Sequence, residues 1–271
     1  MSIMQPLELD PQTYDFYRRS LEILNKAKIP FLIGGGFAFE RHTGIVRETK
    51  DLDLFIRARD CQRALQVLSQ AGYQTTLSVS HWLAKAYCGD NFVDLIFNSA
   101  MGACEVDDSW FEQVVVDKVM DMSVRLCPPE EMIWMKSYLM ARDRFDGADV
   151  AHLLRACSDR LDWSRLLKRF GAHWRVFLSH LVLFGFIYPG ERARIPSWVM
   201  DELIRRLERE TLDSAASTER LCQGTLLAPM QYQIDVKQWG YQDARVQPSG
   251  NLTETEVINW LDHLQQEREE G

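Results

Sequence analysis

The chain has 271 residues, 46% of them hydrophobic, with 31 Lys and Arg against 39 Asp and Glu and a formal net charge of -8. That length buries a substantial core and predicts two subdomains, 1–127 and 128–271, while the acidic balance argues against a broad nucleic-acid surface, which needs clustered Lys and Arg. With no apolar run of about 18 residues and no signal-peptide pattern at the start, the expectation is a soluble cytoplasmic protein with no membrane partner.

In chain order, Pro11 to Ala27 reads as an amphipathic helix with Tyr14, Tyr17, Leu21, Ile23 and Leu24 on its apolar stripe. Ile29 to Ile33 reads as a short buried strand, Gly34-Gly35-Gly36 as a turn, and Phe37 to Thr43 as a helix ended by Gly44. Thr49 to Phe55 reads as a strand with Leu52 and Leu54 turned into apolar packing. A helix N-capped by Asp60 then runs to near Gly72. Tyr73 to Ser78, His81 to Cys88 and Phe92 to Asn98 alternate like strands, the last two joined by a hairpin turn at Gly89-Asp90-Asn91.

From Glu130 the pattern is helical. Trp134, Leu139, Val150, Leu153, Leu154, Trp163, Leu166, Leu167, Phe170, Trp174, Phe177 and Leu178 recur at helical intervals and read as core. Val176 to Tyr188 reads as a buried helix, too short to span a bilayer, and His152, His173 and His180 read as satisfied helix residues. Between Lys136 and Arg175 nine Lys and Arg face five Asp and Glu, which is either a locally basic wall or an ordinary solvated helix surface. The stretch around Gly224 to Tyr232 and Trp239 to Arg245 reads as loops, and Thr253 to Glu270 as a terminal helix capped at Thr255. The cysteines at 61, 88, 104, 127, 157 and 222 lack paired metal-ligand spacing, so reduced thiols are expected.

Three carboxylates carry the chemistry. Side chains two apart on a strand share a face, so Asp51 and Asp53 meet at one spot. Crowded like charges repel, and a divalent cation between them relieves the repulsion. Asp94, in Phe92-Val93-Asp94-Leu95-Ile96-Phe97, supplies a third acid if its strand lies beside theirs. Gly34 to Gly36 lead into a helix N-terminus, where backbone N–H groups and the helix dipole favour an anion. A purely structural reading has Asp51 and Asp53 accept strand-end hydrogen bonds and Asp94 pair with Lys85 or Arg47.

The order of glycine turn, Asp51-Leu52-Asp53 and distant Asp94 resembles the nucleotidyltransferase superfamily that includes DNA polymerase β. Arg47-Glu48-Thr49-Lys50-Asp51-Leu52-Asp53 has the Arg-x-Thr-x-Asp-x-Asp form of its small bacterial type. The spacer from Gly36 to Asp51 is slightly longer than the usual pattern, and Gly rather than Ser stands at the second turn position. A second block, Pro128 to Lys136 and Ala141 to Leu154, is similar to the helical block of the small bacterial enzymes and the related abortive-infection toxins.

The resemblance implies an α+β fold, with a mixed β-sheet nucleotidyltransferase core, flanking helices and a mostly helical C-terminal domain. It implies Mg2+ held by Asp51, Asp53 and Asp94, with Asp94 also placed to draw a proton from the acceptor. It implies nucleotide contacts from Gly34, Gly35, Gly36, Thr49, Lys136 and Arg142, with Arg144 as an alternative to Arg142. The activity implied is transfer of an NMP from an NTP, with ATP expected, to a hydroxyl on RNA such as a tRNA end, on protein or on a small molecule. A toxin–antitoxin partnership is compatible with it. The competing reading is a catalytically silent nucleotide-binding or regulatory protein on the same fold.

Overall fold

The computed structural model describes residues 9–47, 49, 51–212 and 220–270, with side chains as far as 266. Glu48 and Lys50 of the Arg-x-Thr motif, and the side chains of the charged C-terminal end, lie outside the described residues. The chain forms two compact units: residues 1–128 with 252–271, and residues 129–251.

The first unit opens with α1 (Pro11–Lys26), capped by the Asp10 carboxylate, which accepts from the amides of Gln12 and Thr13. Its buried face is Phe16, Tyr17, Ser20, Leu21 and Leu24, so the stripe is rotated from the expected one: Phe16 and Ser20 face inward in place of Tyr14 and Ile23. β1 (Leu32–Ile33) follows, shorter than the apolar run suggested. α2 (Gly35–Thr43) begins two residues earlier than its side chains predict, so two of the three glycines form a helical first turn. It ends at Gly44, whose left-handed backbone returns its N–H to the Glu40 carbonyl at 2.7 Å.

β2 (Leu52–Phe55) buries Leu52 and Leu54 completely. The next helix, α3 (Ala58–Gln70), begins before Asp60. That carboxylate is not a cap; it sits in the first turn and pairs with Arg57 at 3.1 Å, a position where negative charge still meets the helix dipole favourably. β3 (Gln74–Val79), β4 (Leu83–Cys88) and β5 (Asn91–Ile96) form an antiparallel meander, with Gly89 at φ +62° in the two-residue turn between β4 and β5. A small ribbon of β6 (Asn98–Ser99) and β7 (Cys104–Glu105) leads to a hairpin of β8 (Val115–Val119) and β9 (Met122–Leu126) that the sequence reading left unassigned. Met120 and Asp121, both at positive φ, make its two-residue turn.

The main sheet runs β3-β4-β5-β2-β1-β9-β8. Pairs β2–β5 and β1–β9 are parallel and the rest antiparallel, which makes the sheet mixed as expected. Its middle is apolar: Leu32, Ile33, Leu52, Leu54, Val93, Leu95 and Leu126 are fully buried, each contributing about 1.5–3 kcal/mol. That packing fixes the register of β2 against β5, because a one-residue slip would turn every apolar side chain to the other face.

The second unit is mostly helical: α4 (Pro129–Lys136), α5 (Gly147–Cys157), α6 (Trp163–Phe170), α7 (Trp174–Ile187), α8 (Ser197–Leu212) and the short α9 (Gln233–Lys237), with a two-stranded ribbon of β10 (Leu221–Cys222) and β11 (Gln242–Asp243). Val150, Leu153, Leu154, Leu166, Phe170 and Phe177 are core as expected, with the Phe170 and Phe177 rings stacked at 4.6 Å. Leu139 and Leu178 are only half-buried. The expectation of a buried helix at Val176 to Tyr188 needs correction. Phe177, His180, Leu181 and Phe184 are buried, but Val182 and Phe186 are exposed, because a helix of that length turns its outer rows to the surface. Trp163–Ile187 is long and apolar enough to cross a membrane by length and composition, yet Gly171 at φ +47° divides it into the two helices α6 and α7.

Most of the basic excess in this unit is engaged internally. Glu131, fully buried, accepts from Arg165 at 2.6 Å and Arg169 at 3.0 Å; burial raises its pKa while the two guanidiniums pull it back. Arg155 pairs with Glu191, Arg175 with Glu210 and the buried Arg245 with Asp243. Removing one partner of the buried Glu131 or Arg245 pairs costs about 3–5 kcal/mol.

The terminal helix, α10 (Glu254–Glu270), departs from the expected partition, for it belongs to the first unit. Trp260 stacks on Trp82 at 5.2 Å and meets His81 at 4.7 Å, burying its ring beside the β3–β4 turn. Its cap is Thr253, not Thr255: the Glu256 amide donates to the Thr253 hydroxyl while the Glu256 carboxylate accepts from the Thr253 amide at 2.7 Å, a reciprocal capping box. No disulfide joins the cysteines.

The histidines of the helical unit set an acid limit on its stability. His180 Nε2 donates to the Ser137 carbonyl, and His173 Nδ1 meets the Tyr138 hydroxyl at 2.7 Å. Burial holds both imidazoles below their ordinary value of 6.5, in His180 against the opposing pull of that hydrogen bond. As pH falls, the unfolded chain takes up these protons first, so the stabilisation is complete above the unfolded value and lost as pH falls through the folded values. The urea midpoint of the intact chain should therefore drop between about pH 7 and pH 5, and His180→Gln should flatten the slope. A midpoint indifferent to pH in the wild type would refute this.

Candidate active site

Asp53 and Asp94 are direct neighbours across the parallel pair of β2 and β5, and Asp51 lies two residues before Asp53 on the same side. One carboxylate oxygen from each of the three lies within 4.8 Å of the other two. Asp51 and Asp53 are partly exposed and Asp94 is buried. Three acidic oxygens at that spacing suit a hard divalent cation, which takes oxygen ligands from carboxylates.

Local structure explains why the acids converge. Leu52 and Leu54 point into the sheet core, which forces the alternate residues Asp51 and Asp53 to the opposite face. Val93 and Leu95 do the same for Asp94. The apolar register of two strands thus sets the position of three charges. Thr49 holds the first of them, its hydroxyl donating to the Asp51 carboxylate at 3.0 Å and lying 3.2 Å from the Asp51 carbonyl oxygen.

The glycine segment closes against the acids. The Gly34 amide donates to the Asp53 carbonyl at 2.9 Å. Gly35 has φ +52°, and a Cβ there would stand 1.9 Å from an Asp53 carboxylate oxygen. A Cβ at Gly34 would strike the Phe55 ring, and one at Gly36 would press on Thr49. Three glycines in a row are therefore required by what lies opposite each. The N-terminus of α2 consequently abuts the Asp53 carboxylate, where its dipole favours negative charge.

Two further groups meet the triad. Lys85 lies opposite Asp94 across the antiparallel pair of β4 and β5, with its ammonium 3.2 Å from one carboxylate oxygen and 3.5 Å from the other. Arg47, the other candidate partner for Asp94, stacks on the Phe39 ring at 4.4 Å. Tyr17 of α1 is almost wholly buried, and its hydroxyl is pushed up to about 12, first by burial and then by the negative charges of Asp51, Asp53 and Asp94. Sequence reading placed Tyr17 on an apolar stripe and missed its nearness to the acids. The available signal was a phenol hydroxyl on the buried face of an amphipathic helix.

The remaining candidates lie in the helical unit. Lys136 ends α4, with its ammonium 2.8 Å from both Asp146 and Asp149, so its charge is balanced there. Arg142 is exposed in the bend between α4 and α5, and the exposed Arg144 lies 3.6 Å from Asp146.

The crowding at Gly35 is testable. Gly35→Ala should cost about 1 kcal/mol for left-handed backbone and a further ~1–3 kcal/mol for the collision with Asp53. Gly72→Ala, at φ +95° with nothing within 4 Å, should cost only the backbone share. Equal losses in chemical denaturation would contradict the proposed packing.

A search of curated proteins finds none that matches the sequence. Among solved structures, the antibiotic-resistance factor ANT(2'')-Ia in solution is 17% identical, with 64% of this chain and 96% of that one covered and a TM-score of 0.43. An antigenic nucleotidyltransferase-like protein from Paracoccidioides brasiliensis is 16% identical over 70% of this chain and 94% of that one, with a TM-score of 0.44. The lincomycin-bound lincosamide antibiotic adenylyltransferase LnuA is 17% identical over 55% and 98%, with a TM-score of 0.38. A family model described as "Uncharacterised nucleotidyltransferase" matches residues 20–182, a span that holds the glycine segment and all three acids. More than half of the chain lies within that match, and the protein belongs to this nucleotidyltransferase family.

Proposed function

We propose that the protein transfers an NMP from an NTP, ATP being the expected donor, to an acceptor hydroxyl in a reaction that depends on a divalent cation. The observation that carries this reading is the meeting of Asp51, Asp53 and Asp94 within 4.8 Å beside the N-terminus of α2. Like charges so close, in a protein of this family, are best explained as cation ligands, with Mg2+ the expected ion. When bound, such an ion neutralises phosphate charge and orients the triphosphate.

The chain's own residues supply the rest. The first-turn amides of α2, at Gly35, Gly36 and Phe37, have no acceptor within the helix and are suited to phosphate oxygens. Asp94 would accept the acceptor's hydroxyl proton if that hydroxyl comes within hydrogen-bond reach. The acceptor oxygen then bonds to the α-phosphorus, the bond from that phosphorus to the bridging oxygen of the β-phosphate breaks, and pyrophosphate leaves. Thr49 would keep the Asp51 carboxylate oriented through its 3.0 Å hydrogen bond. The acceptor belongs to one of three classes: an RNA end, a protein hydroxyl or a small-molecule hydroxyl.

Incubating the protein with labelled ATP and Mg2+ against total RNA, cell protein and a panel of small polyols tests the reading and sorts the acceptors. Asp51→Asn and Asp53→Asn should each lower transfer by about a hundredfold or more with the fold intact by circular dichroism. Full activity in both variants would exclude the mechanism, and nucleotide binding with no labelled acceptor would favour a regulatory protein.

A further inference from the structure

Across three neighbouring strands the charges stand in one row: Lys85 on β4, Asp94 on β5 and Asp53 on β2, each directly opposite the next. Asp94 is therefore flanked by a like charge on one side and an ammonium on the other. The Lys85 and Asp94 side chains are only 16% and 11% exposed, so their attraction is weakly screened. Lys85 is held by a second partner as well. Its ammonium lies 4.5 Å from the centroid of the Phe92 ring, and Phe92, two residues before Asp94, shares that acid's face of β5.

We propose that Lys85 is a positioning residue that acts as an internal counter-ion for Asp94, so that a divalent cation entering the triad must displace its ammonium from that carboxylate. The inference rests on the metal-dependent reading given above and adds how that site is regulated. Three carboxylates carry three negative charges, and Lys85 lowers the sum by one before any cation arrives. A cation that draws on Asp94 loses part of the field it would otherwise feel and must also repel a fixed positive charge. Displacement does not expel Lys85 into water, because the Phe92 ring face still receives the ammonium. The nucleotide-free site consequently binds divalent ions weakly. It fills when a triphosphate brings additional negative charge, so that metal and nucleotide enter together.

The test is Mn2+ binding to the intact protein without nucleotide, read by the electron paramagnetic resonance signal of free Mn2+. Lys85→Met and Lys85→Gln should each bind Mn2+ about tenfold more tightly than the wild type, while Lys85→Arg, which keeps the charge, should match the wild type. In an Asp94→Asn background the Lys85→Met change should raise affinity by much less than tenfold, since the ammonium no longer competes for that carboxylate and only its direct repulsion of the cation is left. Thermal melts identify any variant that fails to fold. If both neutral variants fail, the wild type decides, because its Mn2+ affinity must rise with a nonhydrolysable NTP, and equal affinity with and without nucleotide overturns the proposal. Mn2+ binding that Asp51→Asn abolishes but neutral changes at Lys85 leave unaltered overturns the role of Lys85 alone. No Mn2+ binding by any form, with or without nucleotide, overturns the metal reading itself and this inference with it.

Discussion

The constraint on which the first unit turns is that two carboxylates, Asp53 and Asp94, face each other across a parallel strand pair. Directly opposed like charges destabilise a sheet, so this register persists only because other terms outweigh it. The fully buried Leu52, Leu54, Val93 and Leu95 are those terms, since any shift that separated the acids would expose them. Apolar packing thus keeps three negative charges in a place they would leave on electrostatic grounds alone. Stored repulsion of this kind is what a cation site needs, because binding the ion relieves it.

Partial compensation is built around the acids. The N-terminus of α2 abuts Asp53, the Thr49 hydroxyl serves Asp51 and the Lys85 ammonium serves Asp94. Each carboxylate therefore has its own stabilising neighbour, drawn from a different element. The glycine segment gains a second meaning from this arrangement. Beyond offering amides to an anion, it lets a helix end come close to a carboxylate, and a side chain at Gly35 would occupy the space that Asp53 takes.

The helical unit handles charge differently. Its composition suggests a basic wall, yet Arg165 and Arg169 converge on the buried Glu131, and Lys136 on Asp146 and Asp149. A count of residues along the chain does not tell which acids fold against which cations. Glu131 is 34 residues from Arg165 and lies outside the Lys136 to Arg175 stretch whose basic excess it offsets.

Much was legible from the sequence itself. The alternation of leucine and aspartate around Asp51 and Asp53, the apolar flanks of Asp94, the two-residue turn after Cys88 and the glycine before the first acid strand all follow from local periodicity and backbone sterics, which act between residues close in the chain. Those rules placed three acids on strand faces, and the resemblance those residues carry to a known family implied the nucleotidyltransferase fold. Tertiary structure decided which strands adjoin, and hence that Lys85, Asp94 and Asp53 form a row. It also brought Tyr17 to the acids, returned the terminal helix to the first unit through Trp260 and Trp82, and drew two of the glycines into a helix. These outcomes depend on contacts between segments distant in sequence, whose energies come from shared burial and opposed charge and leave no periodic trace in the chain.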